Sequence, residues 1–76
     1  MQDLDRRLTR CFASVFPTLS AGQIPEASTE MVAAWDSLAA VTLAAVLEEE
    51  FGVPIDPLDL PELNSYAAAK AYLENR

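Results

Sequence analysis

Residues 36–52 read Asp-Ser-Leu-Ala-Ala-Val-Thr-Leu-Ala-Ala-Val-Leu-Glu-Glu-Glu-Phe-Gly, and how they fold decides the architecture of the chain. Ala, Leu and Glu dominate the stretch, and all three are strong helix formers. Both of its ends are marked. Asp36 is placed to cap the start by accepting from the N–H of Leu38 or Ala39. Gly52, free to adopt positive φ, stops the run, and Pro54 follows. The pattern predicts a helix from Ser37 to Phe51. Two stripes share it. Ala40, Leu43, Ala44, Leu47 and Phe51 form a core face, while Leu38, Val41, Thr42, Ala45, Glu48 and Glu49 form another. The second stripe begins apolar beside Ser37 and ends acidic, which is unusual for a face that only meets solvent.

Before this stretch, residues 3–16 place Leu4, Leu8, Cys11, Phe12, Val15 and Phe16 on one continuous apolar stripe, with Asp5, Arg6, Arg7 and Arg10 off it. Asp3 is the expected N-cap, and Pro17 closes the segment. Cys11, lying within the stripe, is expected as a small buried hydrophobe and an inert thiol. Residues 17–35 form a long irregular connection, with Leu19, Ile24, Met31 and Val32 expected to anchor it. After Gly52, Asp56-Pro57-Leu58-Asp59-Leu60 reads as one helical turn capped by Asp56 with Pro57 at its first position. A last helix is expected over 66–74, capped by Asn64 or Ser65, with Tyr66, Ala69 and Leu73 inward and Tyr72 beside them. No strand pattern and no repeat is present. The chain therefore reads as a single all-α domain, residues 1–76, built from three longer helices and one short one.

Composition narrows the function. The chain has 76 residues, a net charge of −7, one cysteine and no histidine. Residues 1–20 carry Asp3 and Asp5 against Arg6, Arg7 and Arg10, so the acidity lies in the remainder. Such a surface repels nucleic acid and anionic lipid and attracts basic protein patches. A single cysteine cannot form a bridge within the chain and suits a reducing, cytoplasmic setting. No apolar run approaches the ~20 residues of a membrane span, and Met1-Gln2-Asp3 lacks the basic start of a signal peptide. The absence of histidine removes the usual general base and the usual metal ligand together. A Ser-Lys pair would have only Lys70, off the inner stripe of another helix. No catalytic residue and no metal ligand is therefore expected. The run Glu48-Glu49-Glu50 does not converge on an ion, because successive helical side chains point about 100° apart. For Asp56 and Asp59, capping is favoured over a shared divalent ion.

Asp36-Ser37-Leu38, then Val41 and Leu43, then Leu47-Glu48-Glu49-Glu50-Phe51-Gly52-Val53, resembles the central segment of acyl carrier proteins. The likeness extends over nearly the whole chain, including the ending Asn64-Ser65-Tyr66-Ala67-Ala68-Ala69-Lys70-Ala71-Tyr72-Leu73. It implies an acyl-carrier-like bundle, with 4′-phosphopantetheine carried through a phosphodiester on Ser37 and with Asp36 and Leu38 as the flanking cofactor-binding residues. It also implies an acyl or aminoacyl group held on that arm as a thioester. The partners it implies are a phosphopantetheinyl transferase, an adenylating enzyme or acyltransferase that loads the arm, and a downstream transferase. The carrier itself is expected to be a monomer and no enzyme. Leu38, Val41, Thr42, Ala45, Glu48 and Glu49 then become the docking face. The residues are consistent with that role: a serine without a base is more readily acted upon than acting, and a phosphate ester suits a helix start.

The chain departs from fatty-acid carriers in having Trp35 before Asp36, and Ala39 and Thr42 where those carriers often have acids. This looks more like free-standing carriers of specialised pathways. Trp35 either anchors the loop in the core or meets partners, and the alanine-rich second and last helices either pack closely or leave a cavity. The rival reading is a small acidic helical adaptor that binds a basic protein and never receives the arm.

Overall fold

The computed structural model describes residues 2–75, and of Gln2 and Asp3 the backbone only. Three α-helices run in order: α1 (Gln2–Val15), α2 (Ser37–Phe51) and α3 (Tyr66–Glu74). A 3₁₀ turn at Ile24–Glu26 lies in the first connection, and a 3₁₀ segment at Pro57–Glu62 in the second. The architecture is the all-α bundle expected, with three longer helices and a short one before the last. The expected cap at Asp3 lies outside the described side chains.

The apolar stripe of α1 supplies Leu8, Cys11 and Phe12 to the core, Phe16 just after its end joins them, and Leu4 and Val15 pack at the margin. Phe12 sits at the centre of a ring cluster. Its centroid lies 5.4 Å from Trp35, which it meets edge-on, 5.2 Å from Tyr66 and 6.2 Å from Phe16. One residue of α1 thus touches the connection before α2 and the start of α3. Leu43, Ala44 and Leu47 of α2 close the core from the other side. Across the rim, Arg7 Nε donates to Glu50 Oε2 at 2.7 Å, and its guanidinium lies 4.5 Å from the Phe51 ring centroid. This fixes the C-terminal end of α2 against α1. Two residues earlier on α1, Asp5 pairs with Lys70 at 3.0 Å, and the Tyr66 hydroxyl donates to the same carboxylate. The bond from Lys70 holds the Asp5 carboxyl below its usual range.

Residues 17–35 contain more structure than sequence suggests. Ile24, Ala27, Val32 and Trp35 are buried, and Leu19 packs against them. Two backbone bonds lash the connection to the start of α3: Thr29 N–H to Asn64 O and Tyr66 N–H to Ala27 O, each 2.9 Å. This single bridge between Ser28 and Ser65 is the only extended pairing among the described residues. Met31, expected as an anchor, is 63% exposed. The reason is the tight turn from Ser28, closed by Val32 N–H to Ser28 O at 2.9 Å. That turn points Val32 inward, so its neighbour Met31 faces out.

The second 3₁₀ segment extends two residues beyond the expected turn and contains Pro61. Asp56 caps it, accepting from Leu58 N–H at 2.9 Å, and Asp59 accepts from the Tyr72 hydroxyl at 2.8 Å. Both carboxylates therefore have structural employment. Helix α3 is capped by Ser65, which accepts from Ala68 N–H at 3.0 Å, rather than by Asn64. The alanine-rich helices do not form a close pair: α2 packs chiefly on α1 and the second 3₁₀ segment, and α3 chiefly on the first 3₁₀ turn and α1. No helix of the described residues is long and apolar enough to cross a membrane.

Candidate functional site

The start of α2 is built by its flanking residues. Asp36 is extended and caps the helix, its Oδ1 accepting from Ala39 N–H at 2.9 Å. At the far end Gly52, at φ 66°, takes the left-handed conformation that lets the chain turn out of the helix. Ser37 follows the cap as the first helical residue. It is exposed, and its hydroxyl makes no hydrogen bond among the described residues. The leading N–H groups of a helix lack intrahelical partners. Asp36 takes that of Ala39, which leaves those of Ser37 and Leu38 available beside the hydroxyl. A negative charge on Ser37 would meet both these donors and the positive end of the helix dipole. Replacing Asp36 by alanine is expected to cost about 0.5–2 kcal/mol. Chemical denaturation measures this, and an unshifted midpoint would show that the cap contributes nothing.

Along α2 from Ser37, Leu38 is 75% exposed and Val41 54%, with Thr42 and Ala45 exposed beside them. Thr42 turns its hydroxyl back onto Leu38 O at 3.0 Å, so the surface it presents is mainly its methyl group. The three acids that follow divide by task. Glu48 Oε2 accepts from Ile55 N–H at 2.6 Å, folding the chain after Gly52 back onto the helix. Glu50 holds Arg7. Glu49 alone of the three is exposed with no partner among the described residues. The face beginning at Ser37 is thus apolar for two turns and carries one uncommitted carboxylate at its end. Sequence spacing put Glu48 on this face but had no means of showing that its carboxylate is occupied, since the bond reaches across the helix stop.

A groove of about 430 Å³ opens beside Ser37. Thr29 and Trp35 come to it from the first connection, Ala40 from the start of α2, and Leu60, Pro61 and Asn64 from the second connection. Sequence reasoning did not assemble this groove, because its walls come from three separated segments with no shared periodicity. Trp35, expected either to anchor the loop in the core or to meet partners, is in the core at 5% exposed, edge-on to Phe12 and tilted against Phe16. Its Nε1–H is enclosed and finds no acceptor, the one such buried side-chain atom among the described residues. A buried donor left unpaired costs about 1–3 kcal/mol.

The family described as phosphopantetheine attachment site matches the chain over residues 6–73, from the first turns of α1 nearly to the end of α3. The chain belongs to the acyl carrier protein family. No curated protein and no solved structure matches it. Membership establishes the prosthetic group of this carrier, 4′-phosphopantetheine attached covalently to a serine. It also establishes that the carrier meets enzymes that modify and load it. The residues at the start of α2 fit the group. An unencumbered hydroxyl lies at a helix N-terminus, next to a groove with both apolar and polar walls.

Proposed function

We propose that this acyl carrier protein bears its 4′-phosphopantetheine on Ser37 and holds an acyl or aminoacyl cargo for delivery to a succession of enzymes. When attached, the group supplies a terminal thiol on which the cargo rides as a thioester. The observation that carries this reading is the Ser37 hydroxyl itself: exposed, without a hydrogen bond, and first in a long helix. In a chain with no histidine the usual base for turning that hydroxyl into a nucleophile is missing, which favours activation by an external enzyme. Asp36 fixes the helix start, and the N–H groups of Ser37 and Leu38 hold the phosphodiester charge. The carrier does no chemistry on the cargo.

Leu38, Val41, Thr42 and Ala45 form the docking surface nearest the arm, and Glu49 supplies its charge. Glu48 contributes by fixing the shape of the far end rather than by meeting a partner. Recognition close to Ser37 is therefore apolar, and basic residues of a partner meet only the distal end of the face. Leu38→Ala is expected to lower the transferase's kcat/KM roughly tenfold, the scale of one apolar anchor at an interface centre. Glu49→Ala should lower the association rate and its salt dependence by less. Equal kcat/KM for wild type and Leu38→Ala, read from rates of mass gain, would remove this face from recognition.

The reading is tested by co-expressing the protein with a phosphopantetheinyl transferase and weighing the intact chain. A gain of one phosphopantetheine is expected. No gain, under conditions that modify a control carrier, would overturn it and favour an acidic adaptor for a basic protein. The cargo is identified next, by offering the modified carrier to adenylating enzymes and acyltransferases. The free-standing look of the Trp35-Asp36-Ser37-Leu38 segment favours an acyl or aminoacyl cargo of a specialised pathway over general fatty acid synthesis.

A further inference from the structure

The orphaned donor of Trp35 deepens the reading just given, and rests on it. A buried N–H nearly always has a partner. Trp35 Nε1–H has none, although the same indole is held rigidly by Phe12 and Phe16 and lines the groove beside Ser37. We propose that Trp35 Nε1–H is the hydrogen-bond donor for an amide carbonyl of the arm attached to Ser37. Two observations give this chemistry. The groove walls are apolar at Ala40, Leu60 and Pro61 and polar at Thr29 and Asn64, which suits a chain that alternates methylene stretches with amides. One wall of the groove that Trp35 lines is the 3₁₀ segment, whose hydrogen-bond geometry is poor and which has a proline inside it. That wall yields at lower cost than a helix would, so an incoming carbonyl reaches the indole through a small shift of Leu60 and Pro61. An amide oxygen is a stronger acceptor than a thioester oxygen, so the contact holds the arm rather than the cargo and is common to every cargo carried.

The chain has one tryptophan, so its indole N–H gives a single peak in a two-dimensional proton–nitrogen spectrum. Protein labelled with nitrogen-15 is prepared with and without co-expressed phosphopantetheinyl transferase, and each sample is weighed. The expected result is full mass gain together with a downfield move of the indole proton. Trp35→Phe keeps the ring packing and removes the donor. In wild type, attachment should raise the melting temperature, and in Trp35→Phe that rise should vanish. Full mass gain with an unmoved indole peak would overturn the proposal and leave the carrier reading intact. A rise in melting temperature equal in both proteins would also overturn it. Absence of mass gain would take down the carrier reading and this inference together.

Discussion

Ser37→Ala is expected to abolish uptake of 4′-phosphopantetheine completely, while its circular dichroism and denaturation midpoint stay those of the parent. The chemical half follows from what the other serines are doing. The chain has Ser14, Ser20, Ser28, Ser37 and Ser65. Ser65 is engaged as the cap of α3, and Ser28 Oγ accepts from Met31 N–H at 3.3 Å. Ser14 and Ser20 are exposed, but neither stands at the start of a long helix with an Asp before it and a Leu after it. The structural half follows from position. Alanine is the best helix former, Asp36 still accepts from Ala39 N–H, and the Ser37 hydroxyl supports nothing within the fold. Surface changes of this kind usually stay within about 0.5 kcal/mol. A variant that still gains the mass of one phosphopantetheine would move the attachment elsewhere. A variant that fails to fold would show that Ser37 helps to start α2.

The second large effect concerns the core. Phe12→Ala is expected to cost about 3–5 kcal/mol. A 76-residue domain at ordinary stability per residue has about 4–11 kcal/mol in all. The variant should therefore lie at the edge of folding. The reason is geometric rather than a matter of size alone. Phe12 is fully buried and meets Phe16, Trp35 and Tyr66, so removing its ring leaves a void shared by α1, the first connection and α3. Because Trp35 is one wall of that void, the loss should also loosen the groove beside Ser37. Urea denaturation followed by tryptophan fluorescence reads both. A cost below about 1 kcal/mol would mean that the cluster collapses onto the gap.

What was legible in the sequence was what local chemistry specifies. Asp36 and Gly52 delimit α2 because a carboxylate cap and a left-handed glycine act within their own turn. The stripe of α1 is visible because its period needs only α1. The choice between Asn64 and Ser65 as cap of α3 could not be made locally, since both are good caps. The backbone of Asn64 is instead taken by Thr29, thirty-five positions away. Distance also hid the groove, whose walls come from separated segments, whereas the outward turn of Met31 and the bond from Ile55 to Glu48 are local but lie in irregular backbone that carries no hydrophobic period. At the candidate site, Ser37 and its immediate neighbours were readable from a family pattern. The orphaned indole was not, because an unpaired atom appears only when every nearby acceptor has been placed.

One further consequence lies in Cys11. Its side chain is 4% exposed, and burial pushes its thiol above the usual range, with Glu50 acting in the same direction. It stays protonated at neutral pH and out of reach. A carrier whose cargo hangs by a thioester faces a particular hazard: any accessible thiolate on the same molecule would capture the acyl group by exchange, and delivery would end there. Here the only sulfhydryl the chain itself possesses is buried in the core. On the proposal that Ser37 bears the arm, the sulfur open to acyl exchange is the one that the arm brings.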